Sequence, residues 1–324
     1  MTVHKSAVQI GREMFDCAWV AIQERFFDQE RLVALDWPSL RHSFDARITD
    51  AVSARACVRE LLAKLGDKFT CVLETAEVNA KAAGRISESN LYAYNRVMAN
   101  NLGYIGISSF DHSDMFEQER VRLGCVAHCD GYVVDLRGNG GGLLTETTHV
   151  LELFIHEAAV CFIDTREKRE LTERFIGFTA EHYVNYTEAP GVEPDKSLYL
   201  RRPAMVAGKP MVILVDQDTA SSAELFTAAL RASATNDDIV VMGERTHGKG
   251  IGQADFVVHP ELTIKISFMR FYSPEQKWFG DATQGEGHGI NPDITLSSEA
   301  VANSHQGVKA ASEHLLTVLA AKRH

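Results

Sequence analysis

Gly131-Tyr132-Val133-Val134-Asp135-Leu136-Arg137-Gly138-Asn139-Gly140-Gly141-Gly142 is the stretch whose reading decides the fold. A short apolar run entering a glycine cluster predicts a strand. It runs into glycines, and Glu146 to Phe154 then reads as a helix. Backbone N–H groups in a glycine turn stay open to a closely approaching group. The turn therefore suits an oxyanion hole or a phosphate cradle. A tight strand-to-helix connection with no further role is the competing reading.

Outward from this unit, strands are predicted at Tyr104 to Ile107, Ala159 to Ile163, Met211 to Val215, Ile239 to Met242, Asp255 to Val258 and Leu262 to Met269. Helices are predicted at Phe116 to Val126, Ala223 to Arg231 and Val308 to Ala321. Strands alternating with helices give a layered α/β core over residues 103–324. The charged stretch 165–202 interrupts the alternation and is expected as a cap-like excursion. Residues 1–75 read as a helical N-terminal region, because Phe15, Trp19, Ile22 and Phe26 recur at helical spacing, as do Val58, Leu61, Leu62 and Leu65. The polar, alanine-rich stretch 76–102 reads as a connecting segment.

With 324 residues and 45% apolar content the chain can build more than one lobe. Its net charge of −11 and the lack of a dense basic run exclude nucleic acid as an expected partner. The first thirty residues carry a charge every few positions, so no secretory signal is expected and the chain is expected to be cytoplasmic. No membrane span is expected, since no stretch approaches the ~20 apolar residues one needs. Six scattered cysteines point to reduced thiols. Cys125-Val-Ala-His128-Cys129 lacks a second cluster to complete a metal shell, so these cysteines read as small core residues and no metal is expected.

Two further segments bear chemistry. In Asp216-Gln-Asp-Thr-Ala-Ser221-Ser222-Ala-Glu224 a strand meets a helix. A serine at a helix N-terminus lies in the positive end of the macrodipole, which favours a developing oxyanion. Ser221-x-x-Glu224 is equally a capping box. Gly243-Glu-Arg-Thr246-His247-Gly248-Lys249-Gly250 resembles a phosphate-binding loop, but glycine stands where the metal-binding Ser or Thr belongs, and a strand follows instead of a helix. Lys249 has another use. Buried among apolar groups, a lysine favours its neutral form and can take a proton from a hydroxyl.

Taken together and in this order, the three segments resemble the carboxyl-terminal processing (tail-specific) serine peptidases. Leu65-Gly66-Asp67-Lys68-Phe69-Thr70 and Gly289-Ile-Asn-Pro-Asp293 extend the resemblance. It implies a crotonase/ClpP-like ββα core beside the helical N-terminal region. It implies Ser221 as nucleophile, Lys249 as base and Gln253 as the residue orienting the lysine. By the same resemblance Gly141 and Ser222 supply the oxyanion-hole N–H groups, with Glu224, Thr246 and Gly142 in support. No cofactor is implied.

Some positions depart from the family pattern. Only 36 residues separate Asp67 from Gly103, too few for the PDZ domain that relatives carry there. Ser221 and Lys249 stand 28 residues apart, which implies a lengthened loop at Ser233 to Asp238. Arg231-Ala232 replaces a common Gln-Asp pair. Ser222 is the alternative nucleophile. His247 offers a Ser-His variant, although a ring packed in an aromatic slot is the more ordinary role. The expected function is an endopeptidase acting on unfolded or extended polypeptides, and self-association is compatible with the fold. The rival expectations are a non-catalytic binder of peptides or apolar ligands, and a hydrolase of small esters or amides.

Overall fold

A computed structural model describes residues 5–74, 93–167, 169–233, 238–283 and 287–322. Two sheets organise them. The first has six strands in the order β13-β10-β9-β4-β3-β2. These are β2 (Ala93–Val97), β3 (Leu102–Ile107), β4 (Gly131–Asp135), β9 (Met211–Val215), β10 (Ile239–Gly243) and β13 (Ile294–Thr295). All neighbours are parallel except β2, which lies antiparallel on the edge. Every residue of β4 and β9 is buried, as continuous apolar runs in a parallel sheet require. One face packs on the helix Ser304–Ala321 through Ala311 and Leu315. The other packs on the helices Leu144–Leu151 and Ser222–Ala232.

The second sheet is antiparallel, in the order β1-β12-β5-β6-β7-β8, with β11 also paired to β12. Its strands are β1 (Cys71–Val72), β5 (Ala158–Glu167), β6 (Glu170–Phe178), β7 (His182–Glu188), β8 (Asp195–Leu200), β11 (Ile251–His259) and β12 (Leu262–Tyr272). Leu262, Ile264 and Ile266 of β12 point into a core built with the helices Ala7–Arg25 and Ala51–Ala63. Period-2 alternation on β12 thus meets the 3.6-residue stripes of the helices. The helical N-terminal region thereby rests on the sheet that carries β11.

Several expectations change. Residues 165–202, expected as an excursion, form the end of β5 and then β6 to β8, continuous with the antiparallel sheet. Of the connecting segment, 76–92 lies outside the described residues, and Ala93–Val97 is a strand. Its exposed Tyr94 and Val97 hid it from a pattern search, because an edge strand needs no apolar alternation. The helix expected to reach Val126 ends at Leu123. Cys129 is buried there but Cys125 is exposed, so the two are not a pair of core residues. The lengthened loop is only partly seen, since 234–237 lie outside the described residues. No helix among the described residues is long and apolar enough to cross a membrane.

Candidate active site

The three motif segments leave the same ends of three adjacent parallel strands. Asp135 of β4 pairs with Leu214 of β9, and Val215 pairs with Gly243 of β10. The glycine turn, the Ser221 segment and the Lys249 segment therefore emerge side by side at the carboxyl ends, where open α/β sheets place their sites.

Asp216 stitches the first two segments together. Its carboxylate accepts the N–H of Gly138 at 2.9 Å and that of Thr219 at 2.9 Å. The Thr219 hydroxyl donates to the Leu136 carbonyl at 2.9 Å, and the Ala220 N–H to the Asn139 carbonyl at 2.9 Å. Asp216, Thr219 and Asn139 lay within the quoted motifs, but their part in joining them could not be read from spacing.

Ser221 sits at the junction with its helix at φ 59° and ψ −125°. An L-residue held there stores about 1–3 kcal/mol of strain, a feature that collects at functional positions. The first-turn N–H of Glu224 donates to the Ser221 carbonyl at 2.9 Å, and the Glu224 side chain reaches back to the Ser221 N–H to close the capping box. Ser222 is different. It is 2% exposed and its Oγ is enclosed without a partner among the described residues, which keeps it from a substrate.

The glycine turn is pressed against this serine. A Cβ on Gly141 would lie 2.8 Å from Ser221 Cβ, and one on Gly142 only 2.2 Å from the Phe110 carbonyl carbon. Gly141 does not match the expectation of an oxyanion-hole donor. Its N–H donates to Asn139 Oδ1 at 2.8 Å, because the Asn139 side chain folds back to close the turn. Among the described residues the N–H groups of Gly140, Gly142 and Ser222 have no acceptor, and Gly142 and Ser222 flank the Gly141–Ser221 contact.

Glu224 is the hub. It is 0% exposed, and its carboxylate accepts four hydrogen bonds. Oε1 takes the Thr246 hydroxyl at 2.5 Å and the Gly248 N–H at 2.8 Å. Oε2 takes the N–H groups of Ser221 and Lys249, each at 2.8 Å. Burial raises its pKa, and the four donors pull it back. The capping-box spacing foretold only the Ser221 bond. The others hold the lysine segment at a fixed distance from the serine. Thr246 also accepts the Ile290 N–H at 2.8 Å, which brings in the Gly289–Asp293 stretch.

Lys249 is half-buried, and its ammonium lies 4.5 Å from the centre of the Phe69 ring. Burial first, then the like charge of Lys265, holds its pKa below the ordinary 10.5, while Asp111 and Asp67 oppose them. Among the described residues no hydrogen bond joins its Nζ to Ser221 Oγ. Gln253 donates instead to the Ile251 carbonyl at 3.3 Å and to Ser267 Oγ at 3.2 Å. The structure thus brings Ser221, Ser222, Glu224, Thr246, Gly141, Gly142 and Lys249 to one corner, with Gln253 one step further along. His247 contributes its N–H to the Thr219 carbonyl at 2.9 Å. Its ring makes no hydrogen bond and no aromatic contact among the described residues, so the aromatic slot is not formed.

Residues 101–296 match the Peptidase family S41 domain. A carboxyl-terminal-processing protease of Synechocystis is 27% identical over 184 residues, covering 54% of this chain and 34% of that protein. Carboxy-terminal processing protease CtpA of Bacillus subtilis is 26% identical over 194 residues, covering 57% of this chain and 34% of that protein. The chain spans about a third of the length of these curated relatives. Among solved structures, a photosystem II D1 C-terminal processing protease superposes with a TM-score of 0.68 at 16% identity, covering 90% of this chain and 94% of that one. A lipoprotein from Streptococcus agalactiae gives 0.60 at 15% identity, covering 97% and 99%. The structural likenesses bear on the mixed α/β fold alone. The matched domain takes in the glycine turn, the Ser221 segment and the Lys249 segment, and on that match the chain belongs to peptidase family S41.

Proposed function

We propose that this chain is a serine endopeptidase that cleaves extended polypeptides through a Ser221–Lys249 pair on a crotonase/ClpP-like ββα core. One observation carries the reading. The buried Glu224 carboxylate binds the N–H groups of Ser221 and Lys249 together, so a strained serine and a desolvated lysine are held at one corner.

In this mechanism Ser221 Oγ attacks the peptide carbonyl carbon and its proton passes to Lys249 Nζ. The N–H groups of Gly142 and Ser222 hold the tetrahedral oxyanion. Collapse breaks the C–N bond, and the leaving amine takes the proton back from Lys249. Water then attacks the Ser221 ester, again giving a proton to Lys249, and the acid leaves with Ser221 restored. The attacking pair must close to about 2.6–3.2 Å, a tightening that substrate binding commonly supplies. Gln253 steadies the strand that follows the lysine. The likeness to carboxyl-terminal-processing proteases supports a polypeptide as substrate.

The test is cleavage of an unstructured protein by wild type beside Ser221→Ala, with products read by mass spectrometry. Cleavage by wild type alone is the expected result, and equal cleavage by both would remove Ser221 as nucleophile. A panel of small esters run in parallel separates peptidase from simple esterase. The base must lose a proton to act, so activity should climb with pH through an acid limb lying below the usual lysine range. His247→Phe should keep most of the activity and leave that limb in place. A limb that disappears with the histidine would transfer the base role to it.

A further inference from the structure

The stretch Leu65-Gly66-Asp67-Lys68-Phe69-Thr70, which follows the helix Ala51–Ala63, reaches into the corner where Lys249 lies. Phe69 sets its ring 4.5 Å from Lys249 Nζ. Thr70, 5% exposed, donates its hydroxyl to Asp67 Oδ2 at 2.6 Å and accepts the Ser267 N–H at 3.0 Å. Ser267, 0% exposed on β12, accepts from Gln253 across the strand pair. Its carbonyl takes the Phe27 N–H at 3.0 Å, a second tie to the N-terminal region.

We propose that Phe69 and Thr70 are positioning residues of the catalytic apparatus. The ring fixes where the Lys249 amine lies and shuts water away from it. The chain Asp67–Thr70–Ser267–Gln253 fixes the strand that follows it. The inference rests on the Ser–Lys reading above, and it makes the helical N-terminal region part of the active site rather than a neighbour.

The physical argument is one of solvent. An amine takes up its proton less readily where water cannot reach it. The ring also attracts the ammonium by its π face, which works the other way and is the smaller effect where burial dominates. The charges facing the amine are Lys265 on β12, Asp111 beyond β3, and Asp67 and Lys68 on the same stretch as the ring. Asp67 is committed to the Phe69 N–H at 3.0 Å and to the Thr70 hydroxyl, which holds its carboxylate in place. The Lys68 ammonium also lies over this ring at 5.1 Å but is tied to the Ala282 carbonyl at 3.2 Å. Removing the ring therefore leaves Asp67 in place and Lys68 anchored at Ala282, and its main effect is on the access of water.

The experiment reads the lysine directly and then through activity. Competitive acetylation of the full chain across pH, with Lys249 followed by mass spectrometry, gives the titration midpoint without turnover. In Phe69→Ala that midpoint should rise by about one pH unit, and the acid limb of kcat/KM with it, so that activity at pH 7 falls about tenfold and returns near pH 10. Phe69→Tyr should hold both near wild type. Phe69→Leu, which keeps the core filled, should shift both in the same direction by less. Thr70→Val should lower kcat/KM about tenfold at every pH with KM nearly constant, and Thr70→Ser should restore it. A midpoint unmoved in both Phe69→Ala and Phe69→Leu overturns the assignment of the ring, and full activity in Thr70→Val overturns that of the chain. A wild-type pH profile that survives Lys249→Met instead sinks the Ser–Lys reading itself.

Discussion

Lys249→Met is expected to abolish turnover while leaving the fold as stable as before or firmer. In the proposed mechanism the amine accepts the Ser221 proton, and loss of a general base removes about 10²–10⁴ in rate. The stability side runs the other way. Burial holds the Lys249 pKa below 10.5, so the unfolded chain binds this proton more tightly than the folded one. The charged lysine therefore costs folding stability at and below its lowered pKa, and the cost fades as pH climbs towards 10.5. Methionine matches the side chain's length and carries no charge to desolvate. Exchange of a buried charged group for an apolar one of similar volume is neutral or stabilising by up to a few kcal/mol. Because Lys249 is only half-buried, a gain of about 0–2 kcal/mol is expected, or a rise in Tm of up to about 3 °C. The gain should be largest at neutral pH and vanish in strongly alkaline solution. Thermal melts at pH 7 and pH 10.5 beside a cleavage assay check both halves. A variant that loses activity and melts markedly earlier would show that Lys249 is needed for structure, not as a base.

Glu224→Gln is expected to damage both properties at once. Each carboxylate oxygen serves two donors, Thr246 and Gly248 on one side, Ser221 and Lys249 on the other. An amide can satisfy only one side. Its NH2 group must then face donors, and at least one buried N–H loses its partner. Each such orphan costs about 1–3 kcal/mol, so a loss of roughly 1–3 kcal/mol is expected, with Tm falling roughly 2–5 °C. The catalytic effect follows from geometry. The backbone under Ser221 and the backbone under Lys249 share this one anchor, and a displacement of about 1 Å at the reacting groups is worth about 10²-fold. A fall in kcat of that order with KM little changed, measured at a temperature where the variant is still folded, is the expected signature. Wild-type activity in a folded Glu224→Gln would show that the hub does not set the distance between nucleophile and base.

The contrast between these two variants marks what sequence reading could reach. Ser221, Lys249 and the glycine turn stood out as candidates because each lies in a recognisable local frame: a serine at a helix start, a lysine among glycines, a turn rich in glycine. The strands β4, β9 and β10 were legible as apolar runs of strand length between turn signals. The edge strand Ala93–Val97 was not, since an exposed edge places no demand on polarity. Nor was the part played by Glu224. The capping-box spacing gave its bond to Ser221, but nothing local announces bonds to residues more than twenty positions away.

By itself, then, the sequence picked out the three segments that carry candidate catalytic residues and the layered α/β elements that bear them. The tertiary structure decided which amide of the glycine turn is taken up internally, because the Asn139 side chain folds back on the Gly141 N–H. It also decided what surrounds the lysine, since Phe69 reaches Lys249 only when the N-terminal helices settle on β12. Both depend on hydrogen-bond direction and on contacts between segments distant in the chain. Local propensity and spacing carry no record of either, for the direction of an N–H is set by backbone angles that the packed fold imposes.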